Sequence, residues 1–125
     1  MYKDWPNIAT EMVGLTKQLR AADGTPDVMK AFSAMAQAAT APKALDTKTK
    51  ELVALGIAVA VRCDPCITFH AESARKHGAT REEIMEAVGM AIYMGAGPSV
   101  MYAAQAVEAY DQYVAKNGAN PAAKG

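Results

Sequence analysis

Apolar residues recur at helical spacing from Pro6 to about Ala21, where Ile8, Met12, Val13, Leu15 and Leu19 fall three or four positions apart. This pattern predicts an amphipathic helix that Asp23-Gly24 ends. Thr25-Pro26 opens a second helix, whose Val28, Met29, Phe32, Met35 and Ala36 form an apolar stripe stopping before Pro42. Trp5 and Phe32 read as core aromatics of this pair. After a connector over residues 41–45, Asp46 or Thr47 caps a third helix reaching about Val61. Beyond Glu51 this helix is a run of ten apolar or small residues, Leu52 to Val61. Such a run predicts burial on every face, since it is too short to cross a bilayer.

A fourth helix is predicted from Pro65 to about His77, stopped by Gly78, with Lys76 suited to the negative helix end. Its Ile67, Ala71 and Ala74, with Phe69 nearby, offer packing surface. Thr80-Arg81-Glu82-Glu83 is a capping box, so a fifth helix follows, lined by Ile84, Val88, Met90, Ala91 and Met94. Gly95-Ala96-Gly97-Pro98 interrupts it. Pro98 then opens a sixth helix to about Lys116, with Val100, Met101, Ala104, Val107 and Tyr110 facing the core. The tail from Asn117 onward has the glycine and proline content of a frayed end. With no strand pattern and no internal repeat, the chain reads as an all-α bundle of about six helices.

At 125 residues, the length fits one domain spanning residues 1–125 with its own core. Thirteen basic and thirteen acidic side chains balance, which argues against a nucleic-acid partner. The N-terminal stretch carries charges where a signal peptide needs an apolar core, and no apolar run approaches the roughly 20 residues of a membrane span. A cytoplasmic protein is expected. In that compartment a structural disulfide does not persist, so a close cysteine pair reads as catalytic or metal-binding.

Both cysteines stand in one motif, Cys63-Asp64-Pro65-Cys66, followed by His70. The spacing lets the two sulfurs close a short disulfide loop, which packing alone would not require. Pro65 suits a helix start and Asp64 can accept from the free amides there. Cys66 therefore falls in the first turn, where the helix dipole favours thiolate, with Arg62 as a further cation and Asp64 as an opposing charge. His70 lies one turn beyond Cys66 on the same face, within reach as a base. Cys63, before the proline, is free to swing onto an oxidised Cys66. Zinc is the weaker use, since Cys63, Cys66, His70 and His77 on one short helix do not match zinc-finger spacing. His77 is explained by the helix end alone, and the eight methionines by flexible packing. Tyr93 and Tyr102 fit either a pocket or the core. Glu51 alone reads as a solvated first-turn carboxylate, about 18 Å along the helix from Cys63.

Glu51 followed by Cys63-x-x-Cys66-x-x-x-His70 resembles the signature of alkylhydroperoxidase D-like (AhpD-like) proteins of the carboxymuconolactone decarboxylase family. The likeness continues through GATREEIMEAVGMAIYMGAGPSVMYAAQAVEAY and covers roughly residues 45–113, leaving residues 5–40 as an N-terminal helical extension. The resemblance implies a thiol peroxidase in which Cys66 attacks a hydroperoxide, Cys63 resolves the sulfenic acid, and Glu51 with His70 relays protons, without cofactor or metal. One departure stands out: members with the full relay commonly place a histidine between the cysteines, where this chain has Asp64-Pro65. Decarboxylases of the family generally lack the cysteine pair, so that activity is disfavoured.

The resemblance further implies an external dithiol reductant, a lipoyl-bearing or thioredoxin-like protein. It also implies a homo-oligomer, a trimer or hexamer, which the apolar third, fifth and sixth helices favour independently. A mostly apolar pocket is expected beside the thiol. Two other classes share these residues: a general thiol-disulfide oxidoreductase without preference for peroxides, and a non-catalytic helical assembly or redox-sensor protein.

Overall fold

A computed structural model describes residues 1–119, and over that range the chain forms five helices and no strand. In order these are α1 (Trp5–Arg20), α2 (Pro26–Thr40), α3 (Thr47–Val61), α4 (Asp64–Lys76) and α5 (Arg81–Asn117). The two last helices expected from the sequence are the arms of α5. Ala96 breaks that element with φ 55° and ψ −140°, a left-handed backbone that costs a side-chain-bearing residue energy. Pro98 follows in the first turn of the second arm, where its missing N–H is no loss.

Local signals hold at most helix ends. The Asp46 carboxylate accepts from the Thr49 amide at 2.8 Å and starts α3. Thr80 and Glu83 exchange both capping-box bonds, at 2.9 and 3.1 Å. At the end of α4, Gly78 takes φ 91°, and the amides of Gly78 and Ala79 return to the carbonyls of Arg75 and Ala74 at 3.0 and 2.9 Å. This pair of bonds satisfies carbonyls that the helix leaves open. Between α1 and α2 only glycine fits, because a Cβ at Gly24 would run into the carbonyl oxygens of Gln18 and Leu19.

α3, α4 and α5 pack on one another around Leu55, Val59, Ile67, Ala71, Ile84 and Ala106. Small residues on the second arm, Ala103, Ala106 and Ala109, let that arm approach closely. Trp5 closes the core from α1 and is fully buried. α5 is long and apolar enough to cross a membrane, with an 18-residue window of mean hydropathy 1.2. Its inner face packs against α3 and α4, and 22% of that window is buried within the chain.

The apolar periodicity identifies faces that the single chain leaves uncovered. α2 buries no residue, and Val28, Phe32 and Met35 are exposed, so Phe32 is not a core aromatic. Val13, Leu15 and Leu19 of α1 are likewise exposed. Helix α3 is buried on one side only, through Leu55, Ala58 and Val59, while Val53, Ile57 and Val61 face outward. On α5, Met90, Met94, Val100 and Met101 are exposed, and the inner face runs instead through Val88, Ala91, Ser99, Ala103 and Tyr110. Phe69 and Tyr93 are exposed as well, which removes Tyr93 from the core. α5 extends through Asn117, and most of the frayed tail expected from there, residues 120–125, lies outside the described residues.

Candidate functional site

The site forms where α3 turns back into α4. Arg62 ends α3 in the left-handed region at φ 58°, so two residues suffice to reverse the chain. The amides of Arg62 and Cys63 bond back to the carbonyls of Val59 and Ala58 at 3.2 and 3.1 Å. The reversal sets Cys63 at the N-cap of α4 and Cys66 in its first turn, both half-buried. The two are joined as a disulfide with Cα atoms 5.2 Å apart, inside the usual range for a bridge. The Cys66 amide also donates to Cys63 Sγ at 3.2 Å, so the first cysteine takes the place of a capping oxygen.

Asp64 does not cap α4. It is the first residue of the helix, and its carboxylate turns outward to the Lys3 ammonium at 2.6 Å. Its negative charge beside the cysteines is thereby paired, which the sequence reading lacked. Arg62, considered as an aid to thiolate formation, is exposed.

Glu51 is buried at 4% exposure, and its Oε2 lies 2.6 Å from His70 Nδ1. This overturns the reading of Glu51 as a solvated carboxylate. The carboxylate fixes the tautomer and orientation of the imidazole, leaving Nε2 for a second partner. His70 itself keeps 34% of its side chain exposed, and it stands one turn along α4 from Cys66. The fold therefore assembles a carboxylate-held imidazole on the helix that bears the thiol. His77, at the C-cap, bonds the Ser73 carbonyl through Nδ1 at 2.8 Å.

A groove of about 540 Å³ runs between α3 and the first arm of α5, lined by Leu52, Val53, Ile57, Met90 and Met94 among others. Neither cysteine, nor His70, nor Glu51 borders it. This groove therefore lies apart from the disulfide. Among the described residues no cluster of three or more metal-ligating side chains occurs.

The N-terminal segment, without local signal in the sequence, is clamped beside the site. Glu108 Oε1 accepts from the Lys3 amide at 3.0 Å and from the Trp5 indole at 2.8 Å, and its other oxygen accepts from the Tyr2 amide. Burial opposes ionisation of Glu108, but those donors outweigh it and hold its carboxyl below the usual range. The Lys3 ammonium also bonds Gln105 Oε1 at 2.6 Å and lies 5.4–5.6 Å from the ring centres of Tyr2, Trp5 and Tyr102. Tyr102 thus belongs to this cation cage. Deeper in, Tyr113 donates to the Thr68 hydroxyl at 2.8 Å and Thr68 donates to the Trp5 carbonyl at 2.7 Å. Burial pushes the Tyr113 phenol up.

Residues 26–109 match the sequence profile of the carboxymuconolactone decarboxylase family. The chain is 37% identical over 106 residues to an uncharacterized protein of Cupriavidus necator, covering 84% of this chain and 94% of that one. It is 40% identical over 82 residues to an uncharacterized protein from the cox locus of Paracoccus denitrificans, covering 66% of this chain and 74% of that one. Among solved structures, a carboxymuconolactone decarboxylase family protein from Legionella pneumophila superposes with a TM-score of 0.83 at 47% identity, over 87% of this chain and 96% of that one. A family protein from Thermotoga maritima, for which a role in antioxidative response has been suggested, superposes with a TM-score of 0.73 at 29% identity, over 90% and 95% of the two chains.

Proposed function

The chain belongs to the carboxymuconolactone decarboxylase family, and from that premise we propose that it is a thiol peroxidase acting on organic hydroperoxides. The observation that carries this reading is the 2.6 Å contact between the buried Glu51 carboxylate and His70, one turn from Cys66 on the same helix. A disulfide serving structure alone has no use for an imidazole held in this way. The antioxidative role suggested for the Thermotoga relative agrees with it.

In the proposed cycle His70 Nε2 accepts the Cys66 thiol proton, and the thiolate attacks the terminal oxygen of ROOH. The O–O bond breaks, Cys66 becomes a sulfenic acid, and the alkoxide leaves as ROH with the proton that His70 held. Cys63 then attacks the sulfenic sulfur, expelling water and closing the disulfide. An external dithiol, of the lipoyl or thioredoxin-like class, reduces that disulfide by two electrons and is itself oxidised to a disulfide. The reducing cytoplasm is the compartment this cycle requires. A homo-oligomer, trimeric or hexameric, is part of the proposal, because the outward faces of α2, α3 and α5 need cover.

A specific observation favours a second reading. The Cys66 amide donates to Cys63 Sγ within the disulfide; kept on reduction, the same contact would favour a thiolate at Cys63 and suit general thiol-disulfide exchange. Stopped-flow mixing of reduced protein with an alkyl hydroperoxide, hydrogen peroxide and a small disulfide separates the two. Faster oxidation by the alkyl hydroperoxide supports the peroxidase; faster reaction with the disulfide, and none with either peroxide, overturns it.

A further inference from the structure

We propose that Lys3 is a positioning residue for the redox centre: by pairing with Asp64 it cancels the carboxylate inserted between the two cysteines and keeps the Cys66 thiolate accessible at neutral pH. The inference rests on the assignment of Cys66 as the attacking thiol.

Asp64 is the first residue of α4, flanked by Cys63 at the N-cap and by Pro65. An uncompensated negative charge there would oppose a thiolate two residues on and offset the field of the helix start. The chain supplies the compensation from a distance of 61 positions, with Lys3 Nζ at 2.6 Å from Asp64 Oδ2. The two side chains are 27% and 29% exposed, so the pair is only partly screened by solvent.

Lys3 is held for this contact rather than reaching it by chance. Its ammonium has a second acceptor in Gln105 Oε1 at 2.6 Å, and Gln105 is buried and itself anchored to the Met101 carbonyl. Its backbone amide is fixed by Glu108 at 3.0 Å. Partial burial works against the charged amine, but the hydrogen bond and the charge of Asp64 outweigh it and hold Lys3 above its ordinary value. The cation therefore persists wherever a thiolate can form.

Other charged groups sit on the neighbouring segments. Glu51 belongs to α3 and the exposed Arg62 to its C-cap, His70 to α4 itself, and Glu108 to α5, where it is taken up by the N-terminal amides and the Trp5 indole. Of these acidic groups, Asp64 alone stands between the cysteines, and its partner is Lys3.

The test is a pH titration of the Cys66 thiolate by its ultraviolet absorbance, with iodoacetamide alkylation rates alongside, in full-length reduced protein carrying Cys63→Ser. Lys3→Met should raise the Cys66 pKa by on the order of one unit, about a tenfold loss of thiolate at neutral pH. Lys3→Arg should stay near the parent, and Asp64→Asn should lower the pKa. In the Asp64→Asn background the Lys3→Met shift should fall to less than half. An absent shift overturns the proposal, and so does an equal shift in both backgrounds, which would mean that Lys3→Met only loosens the N-terminal clamp. The titration uses no peroxide, so a chain inert to every hydroperoxide but showing the coupled shift would sink the peroxidase reading and support this one.

Discussion

Glu51 Oε2 and His70 Nδ1 meet at 2.6 Å although 19 positions separate the residues. The contact depends on the reversal at Arg62 and Cys63, which folds α4 back along α3. The buried carboxylate holds the imidazole in one orientation through this contact. Removing either partner should therefore slow peroxide attack by a similar factor, about a hundredfold for loss of one general base. His70→Ala and Glu51→Gln should each show the loss in single-turnover oxidation, and the double variant should be little worse than His70→Ala alone. Multiplicative losses would mean that the two act separately.

The assignment of the two sulfurs makes a different kind of prediction. Cys66→Ser should abolish oxidation by hydroperoxide. Cys63→Ser should react once and gain the mass of one oxygen atom, trapped as the sulfenic acid, since no second thiol can expel water from it. Intact mass measurement after a single addition of peroxide checks both. The reverse pattern, with Cys63→Ser inert, would transfer the attacking role to the N-cap sulfur that accepts the Cys66 amide.

Features set within four or five residues were legible in the sequence, because their partners are local. The Thr80-Glu83 box, Asp46 at the start of α3, Gly78 after α4 and Cys66 in a first turn follow from which backbone groups a helix end leaves unpaired. Glu51 was legible only through resemblance, since its partner arrives by tertiary packing. Lys3, Gln105 and Glu108 gave no signal, because nothing in a charged terminal stretch tells which distant carboxylate it meets. The apolar stripes of α1, α2 and α5 were seen, but periodicity identifies a face that avoids water and not what covers it. Phe32, Ile57 and Met94 were therefore placed inside a core that does not reach them.

The clamp on the N-terminal segment should open at both pH extremes. Glu108 is held below its usual range in the folded chain, so its stabilising contribution is complete above the unfolded value of about 4.3 and declines as pH falls through that value. Lys3 is held above its usual range, so its contribution is complete below about 10.4 and is lost as pH rises past it. Trp5, the single tryptophan and fully buried, reports the event. Its emission should shift red as pH falls below about 4, before helical circular dichroism is lost, and Glu108→Gln should remove this early step. A single midpoint in both signals, unchanged by the substitution, would show that the clamp has no transition of its own.

The hydroxyl of Thr68 is fully buried and joins two elements, accepting from Tyr113 and donating to the Trp5 carbonyl. Thr68→Val keeps the shape of the side chain but leaves the buried Tyr113 phenol without its acceptor and removes one donor from the Trp5 carbonyl. An unsatisfied buried group costs about 1–3 kcal/mol, so the variant should lose at least that much in urea unfolding of the reduced protein. Thr68→Ser, which keeps the hydroxyl, should recover most of it. A Thr68→Val variant as stable as the parent would mean that water reaches the phenol.

The outward faces lead to the last prediction, that the chain assembles with copies of itself. Val53, Ile57 and Val61 on α3 are 52%, 57% and 66% exposed, and Met90 and Met94 on α5 are 61% and 75% exposed. Several of these side chains line one groove together with Leu52, so the apolar surface is continuous and not a scatter of single residues. Soluble monomers rarely leave such a patch open. α2 adds Val28, Phe32 and Met35 on a helix that buries nothing within its own chain. A closed ring is the expected arrangement, since copies related by rotation cover equivalent faces without leaving any open. Light scattering coupled to size exclusion at low micromolar concentration should give a multiple of 13.2 kDa. Ile57→Glu, which would force a charge into the interface, should dissociate it while leaving helical content intact. A monodisperse 13.2 kDa species for the parent chain would refute assembly, and an assembled parent unaffected by Ile57→Glu would move the interface away from the α3 groove, toward α2.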